Sequence, residues 1–136
     1  MIDKEIIKIA SNTENHGVLN NHTHSSKLKN AICGDEMKIY LIVKNDKIKN
    51  FKYECESCIF CQASVSLLSR SAKNKSVEKV KNFAKNAKNF FETNNKSFDK
   101  EWKEFDKIMS KNNISRKECL LLPINTTLDA LNKKSL

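Results

Sequence analysis

With 136 residues, the chain is long enough for one folded domain with its own apolar core, so it is not a miniature protein that depends on disulfides. Its net charge of +9 comes mainly from lysine, and Arg70 and Arg116 are the only arginines among 25 basic residues. Because reading base edges and gripping phosphates favours arginine, we attribute the charge to solvated surface and expect no nucleic-acid partner.

The N-terminal sequence lacks the basic, apolar and small-residue pattern of a signal peptide. No apolar run approaches the roughly 20 residues that cross a bilayer. We therefore expect a cytoplasmic protein with no membrane partner. Thiols stay reduced in that compartment, so the five cysteines favour metal or redox chemistry over disulfides.

The first half of the chain is predicted to contain one helix and an antiparallel hairpin. Isoleucines predict a helix over 3–11, and the polar segment 12–32 is predicted to be a loop that could hold a short edge strand. Apolar and polar residues alternate over 37–44, which predicts a strand with one buried face. Asn45-Asp46 has hairpin-turn chemistry, and a second strand is predicted around 51–55.

The second half changes to helical spacing. Apolar residues recur every three or four positions over 58–71, 76–93 and 98–110, which predicts three amphipathic helices. Ser57 is a suitable N-cap for the first of them. These elements predict a single α+β domain over 1–136, with a small antiparallel sheet of about three strands packed against helices.

A last helix is predicted to begin at Ser115. Ser115 and Glu118 have the spacing of a capping box, which places Cys119 in or just after the first turn. Pro123 is expected to bend or restart this helix, because it has no N–H to donate and crowds the preceding turn.

Three separated cysteines lie where predicted elements begin or end. Cys33 stands in Cys33-Gly34-Asp35 before the first long strand, and Cys58 and Cys119 stand near helix starts. Any one of them could be a packed core thiol, but three such placements together favour a site. Three thiolates and the oxygen of Asp35 suit a tetrahedral zinc ion, or an anchor for iron and sulfide.

Other cysteines and histidines leave alternatives open. The Cys55-x2-Cys58-x2-Cys61 spacing resembles the start of a ferredoxin motif, but Val65 stands where the fourth cysteine belongs. We favour packed free thiols for Cys55 and Cys61. His22-x-His24 lies in a polar loop where histidines commonly bind nothing, and Glu118 is more simply a capping residue than a ligand.

Over nearly its whole length, from about Ile6 to Leu131, the chain resembles the IscU/NifU-type iron–sulfur cluster assembly family. Four segments carry the resemblance: Asn15-His16-Gly17-Val18-Leu19, Ala31-Ile32-Cys33-Gly34-Asp35, Glu56-Ser57-Cys58-Ile59, and Arg116-Lys117-Glu118-Cys119-Leu120-Leu121. The IscU type has a histidine immediately before the third cysteine, where this chain has Glu118. The long separation between Cys58 and Cys119 resembles the SufU-like branch. The family usually has Asn-Pro-Arg-Asn where this chain has Asn12-Thr13-Glu14-Asn15.

The resemblance implies a SufE/NifU-like fold and four zinc ligands, Cys33, Asp35, Cys58 and Cys119. It further implies that Cys33 accepts persulfide sulfur from a partner cysteine desulfurase of the SufS/NifS-like kind. An alternative is a scaffold that binds iron, on which a transient [2Fe–2S] cluster is assembled and passed to recipient apoproteins. A purely structural zinc domain is a third hypothesis.

Overall fold

The structure is a computed structural model that describes residues 3–32, 34–93 and 98–133. Its elements in chain order are α1 (Lys4–Ala10), β1 (His24–Lys29), β2 (Glu36–Lys44), β3 (Lys47–Glu56), α2 (Ile59–Ala72), α3 (Val77–Thr93), the 3₁₀ helices η1 (Lys100–Lys107) and η2 (Lys111–Arg116), and α4 (Lys117–Asn132). This order confirms the predicted α+β class with a small antiparallel sheet. No helix in these three ranges is long and apolar enough to span a membrane.

The sheet has three antiparallel strands in the order β1-β2-β3. Strand β1 lies inside the segment predicted to be a loop with a short edge strand, and Ser26 pairs with Ile39, which pairs with Tyr53. The β2–β3 turn confirms the hairpin prediction, because Asn45 and Asp46 have φ values of 54° and 61°. A two-residue hairpin turn of the primed type needs positive φ at both positions.

The helices cover one face of the sheet. Helix α4 packs against β1 and β2, while α2 packs against β3, α1 and α4. Side chains that alternate along the two long strands enter this core, and they include Met37, Ile39, Leu41, Phe51 and Tyr53. The predicted buried face of the first long strand is thereby confirmed.

The outer edge of β3 is paired by the segment after α1. The N–H of Gly17 donates to the carbonyl of Tyr53 at 2.9 Å, and the N–H of Tyr53 donates to the carbonyl of Asn15 at 3.2 Å. The Asn15 side chain is buried and donates to Ser69 Oγ of α2 at 3.1 Å. These bonds fix the N-terminal segment onto both the sheet and α2.

The predicted α-helix over 98–110 is wrong in type, although its buried residues are right. The backbone there forms η1, and Trp102 has non-helical φ and ψ of −117° and 15°. Phe98, Trp102 and Phe105 are buried as predicted and surround Phe83, whose ring stacks on Trp102 at 4.2 Å. Aromatic residues spaced three and four apart suit both an α-helix and a 3₁₀ helix. The sequence pattern therefore does not distinguish the two, and we attribute the 3₁₀ backbone to packing against Phe83 of α3.

The predicted helix starts also need correction. Cys58 and not Ser57 is the N-cap of α2. Helix α4 begins at Lys117 with Arg116 as N-cap and no side-chain cap bond, so the Ser115–Glu118 capping box does not form; Ser115 belongs to η2. Each helix therefore begins later along the chain than predicted, α2 at Ile59 and α4 at Lys117.

Helix α4 also does not restart at Pro123, which lies inside it. Leu122 before the proline and Ile124 after it are buried, and Ser64 Oγ of α2 donates to the carbonyl of Leu120 at 2.6 Å. Tertiary packing therefore offsets the helix bond that a proline cannot make.

Candidate metal centre

Three side chains from distant parts of the chain meet at one point. One carboxylate oxygen of Asp35 and the sulfurs of Cys58 and Cys119 all lie within 4.8 Å of one another. Asp35 and Cys119 are buried, and Cys58 is half-buried. Tetrahedral zinc with bonds of about 2.0–2.3 Å has ligand atoms about 3.3–3.8 Å apart, so these three donors need little movement to share one ion.

Asp35 is positioned by a tight loop that closes on itself just before β2. The N–H of Asn30 donates to the carbonyl of Asp35, and the N–H of Gly34 donates back to the carbonyl of Asn30, both at 2.7 Å. Gly34 has a φ of 76°, which a residue without a side chain adopts readily. The glycine of the Cys-Gly-Asp sequence thus allows the chain to turn and aim the carboxylate inward.

Cys58 is positioned by the start of α2. As the N-cap it has extended φ and ψ of −70° and 168°, and its carbonyl accepts from the N–H of Gln62 at 3.0 Å. Its side chain makes no cap bond, and its sulfur lies within 4.8 Å of the Cys119 sulfur and an Asp35 oxygen. The positive end of the helix dipole stabilises negative charge at this place.

Cys119 is the third residue of α4, as the prediction of a first-turn position requires. Helices α2 and α4 pack against each other, and both sulfurs come from the beginnings of their helices. Two helix N-termini therefore converge on the site, together with the loop before β2. Such an arrangement favours thiolates and a carboxylate.

The buried carboxylate has one satisfied oxygen and one that lacks a donor. Oδ1 of Asp35 accepts from the N–H of Cys58 at 3.1 Å, while Oδ2 is buried with no hydrogen-bond partner in the described part of the chain. Leaving such an oxygen buried without a partner costs about 1–3 kcal/mol or more. A cation between Oδ2 and the two sulfurs would supply the missing interaction, so the donor set fits a metal ion.

Cys33, the fourth predicted ligand and the predicted sulfur acceptor, lies outside the described residues. Cys55, Cys61 and Glu118 do not belong to the cluster formed within the described ranges. Cys61 is fully buried in the apolar core, and burial raises the pKa of both the Cys55 and the Cys61 thiols. Both therefore resemble packed thiols more than ligands.

His22 and His24, both predicted to lie in a loop, have local partners, and His24 is the first residue of β1. Nδ1 of His22 lies 2.7 Å from the carbonyl of Leu19, and Nδ1 of His24 lies 2.8 Å from Thr23 Oγ1. Neither histidine joins the Asp35, Cys58 and Cys119 cluster.

One role was missed by the sequence analysis. Asp35 was expected only as a ligand, yet its carboxylate also accepts the Cys58 N–H at the start of α2. Helix-start donors are commonly satisfied by a residue close in sequence. Nothing in the sequence pattern indicates that the acceptor comes from another segment.

Comparison with known proteins gives the same family from independent directions. The family model described as "NifU-like N terminal domain" matches residues 1–96. An iron–sulfur cluster assembly scaffold protein IscU from Thermotoga maritima is 30% identical over 135 residues, covering 99% of this chain and 95% of the relative. A zinc-dependent sulfurtransferase SufU from Bacillus subtilis is 30% identical over 74 residues, covering 54% of this chain and 50% of the relative.

Solved structures agree on the fold. A Fervidobacterium islandicum protein described as an iron–sulfur cluster assembly scaffold for the SUF system is 28% identical, with a TM-score of 0.83 and 96% of each chain covered. A NifU-like N-terminal protein from Brucella abortus superposes with a TM-score of 0.88 over 95% of this chain and 90% of that one. At 18% identity the second likeness shows the fold alone. With the family model matching well over half of its residues, the chain belongs to the family of NifU-like N-terminal domains.

Proposed function

We propose that this iron–sulfur cluster assembly protein binds zinc and accepts persulfide sulfur from a partner cysteine desulfurase. The observation that carries the proposal is the convergence of Asp35, Cys58 and Cys119 within 4.8 Å. The sulfurtransferase name of the Bacillus subtilis relative supports it.

The proposed ligands are Cys33, Asp35, Cys58 and Cys119. Bound zinc would hold the ligating sulfurs as thiolates at neutral pH. The chain itself supplies the two helix N-termini that favour negative sulfur, and the bond from the Cys58 N–H orients the Asp35 carboxylate.

The proposed acceptor is Cys33. Its thiolate attacks the outer sulfur of the persulfide on the partner's cysteine, and a new S–S bond forms on Cys33 as the partner's S–S bond breaks. The partner's cysteine leaves as a thiolate, so the exchange balances without an added oxidant or reductant. Gly34 has no side chain beside the acceptor, and among the described residues other than Gly34 and its chain neighbours no heavy atom lies within 4 Å of where its Cβ would stand. This open space supports access of the incoming sulfur.

The test is transfer of ³⁵S from labelled cysteine in the presence of the desulfurase encoded by the same genome. Wild type is expected to gain label that reductant releases, and Cys33→Ser is expected to gain none. Cys55→Ser is the matched control, because Cys55 is a half-buried thiol outside the cluster and this variant should be labelled like wild type. Unchanged labelling of Cys33→Ser would contradict the assignment.

A second candidate is a scaffold for a [2Fe–2S] cluster, favoured by the scaffold names of the Thermotoga and Fervidobacterium proteins, which this chain covers almost entirely. Anaerobic purification with metal analysis and a visible spectrum separates the two. One equivalent of zinc and a colourless protein supports sulfur transfer, whereas iron, labile sulfide and visible absorption support the scaffold. A chain that unfolds on metal removal and gives the desulfurase no added activity would instead be a structural zinc domain.

A further inference from the structure

Two exposed isoleucines lie on the chain segments that lead into the candidate metal centre. In the described part of the chain, four large apolar residues are exposed, and two of them, Ile32 at 86% and Ile114 at 54%, belong to segments that lead into the site. Ile32 lies in the loop that positions Asp35, and Ile114 lies in η2 immediately before the helix that carries Cys119. The other two, Ile7 and Val18, lie near the N-terminus.

Both isoleucines are presented by ordered backbone. The N–H of Ile32 donates to Oδ1 of Asn30 at 3.0 Å, inside the loop closed by the Asn30–Asp35 and Gly34–Asn30 bonds. Next to Ile114, the buried side chain of Asn113 donates to the carbonyl of Ile108 at 2.8 Å. Backbone that is already ordered loses little conformational entropy when a partner covers it, which favours binding.

The charge is basic around Ile114 and mixed around Ile32, where Lys29 is offset by Asp35 and Glu36. Segment 111–118 carries Lys111, Arg116 and Lys117 against one acidic residue, Glu118, and Lys29 precedes the other segment. None of the four basic side chains belongs to an ion pair among the described residues. The Arg116 guanidinium lies over the ring of Phe60 at 5.3 Å, next to the start of α2. An apolar contact with a basic border, as at Ile114, fits an acidic partner surface.

We propose that Ile32 and Ile114 form a docking pair, defined by these two side chains, for the acidic face that surrounds the persulfide of the partner cysteine desulfurase. This inference rests on the proposed function. Sulfur exchange requires the reacting atoms to approach to about 3–3.5 Å, so the partner must cover the metal centre during transfer. Apolar residues on the two segments beside the centre are then buried in the complex, where a few such residues carry much of the binding energy.

The test measures binding of the desulfurase from the same genome by calorimetry, together with the zinc content of each variant. Ile32→Ala and Ile114→Ala are each expected to raise Kd at least about fivefold, and the double variant more, with zinc content unchanged. Ile7→Ala is the matched control, because Ile7 is an isoleucine on α1 about as exposed as Ile114, at 51% against 54%, and should leave Kd unchanged. Raising the salt concentration should weaken wild-type binding, as basic and acidic surfaces require.

The outcomes separate the two proposals. Wild type that neither binds the desulfurase nor gains ³⁵S would overturn the proposed function and the docking pair with it. Wild type that binds and gains label, while both isoleucine variants bind equally well, would overturn the docking pair alone. A dimer of this chain that the two substitutions dissociate, with desulfurase binding unaffected, would assign the surface to a second copy and likewise overturn it.

Discussion

The backbone N–H of Cys58 donates a hydrogen bond of 3.1 Å to Oδ1 of Asp35. This bond joins the loop before β2 to the first turn of α2, so two of the proposed ligands are coupled before any ion binds. It also leaves Oδ2 of Asp35 as the oxygen without a hydrogen-bond partner in the described residues. The loop and the helix therefore position each other, and this part of the candidate metal centre is preorganised.

Substitution of Asp35 should separate the ligand role from the hydrogen-bond role. Asp35→Asn can still accept from the Cys58 N–H but lacks the charge, while Asp35→Ala loses both. We expect zinc affinity to fall by at least about tenfold in Asp35→Asn and further in Asp35→Ala. Competition for zinc with a chromophoric chelator measures the zinc affinity of each variant. Asp129→Asn, an acidic residue on the distant part of α4, is the control, and equal affinities for wild type and Asp35→Ala would refute the ligand role.

Burial of Cys61 predicts a loss of stability at alkaline pH. Its thiol pKa is raised by burial above the ordinary value of 9.0, so the folded state keeps the proton that the unfolded state releases. The contribution of the protonated Cys61 thiol to the free energy of unfolding is fully present below about pH 9 and is lost as pH rises beyond it. Urea unfolding from about pH 8 to about pH 10 should show a declining free energy of unfolding, and the decline should be smaller in Cys61→Ala. An equal decline in both would contradict the prediction.

The contact between β1 and α4 predicts a loss of stability in acid. Ser26 Oγ donates to Asp129, and this bond, together with Lys133, lowers the pKa of the carboxyl group. A lowered carboxyl pKa stabilises the fold above the unfolded value of about 4, and the contribution disappears as pH falls below it. Ser26→Ala should reduce the free energy of unfolding by about 0.5–1.5 kcal/mol at neutral pH and by less near pH 3. The double variant Ser26→Ala with Asp129→Asn tests whether the two side chains stabilise the fold together. If the two single losses in the free energy of unfolding add up to the loss in the double variant, the two side chains are not coupled.

The aromatic cluster predicts that η1 depends on packing. Phe105 is fully buried against Phe83, Phe98 and Trp102. Phe105→Ala should lower the free energy of unfolding by about 3–5 kcal/mol, because it removes a large buried ring from a segment with weak helical hydrogen bonding. The fluorescence of Trp102 during urea unfolding measures this change in the free energy of unfolding. The exposed Ile114→Ala should change the free energy of unfolding by less than about 0.5 kcal/mol.

Several features follow from local sequence because their causes are local. The alternation from Met37 to Val43 predicts a strand with one buried face, and Asn45-Asp46 predicts a hairpin turn with positive φ. Residues 76–93 carry a helical stripe that matches α3. In each case side-chain periodicity or backbone preference within a few residues is sufficient.

The predictions of helix ends and of helix type failed because their causes are not local. The capping box of Ser115 and Glu118, the N-cap at Ser57 and the α-helix over 98–110 are all locally reasonable, yet none forms. Cys58 instead receives its helix-start acceptor from Asp35, 23 residues earlier in the chain. Each outcome depended on contacts with distant segments, and local propensity does not contain them.

The chain's own sequence determined which residues are available for the proposed chemistry, because thiol, carboxylate and glycine are properties of residue types and their order is readable. Only the tertiary structure decided that Asp35, Cys58 and Cys119 share one place, and that one oxygen of Asp35 accepts from the Cys58 N–H while the other is buried without a hydrogen-bond partner in the described residues. The physical reason is that packing of α2 against α4 and of both against the sheet sets those distances, and packing depends on the whole core at once.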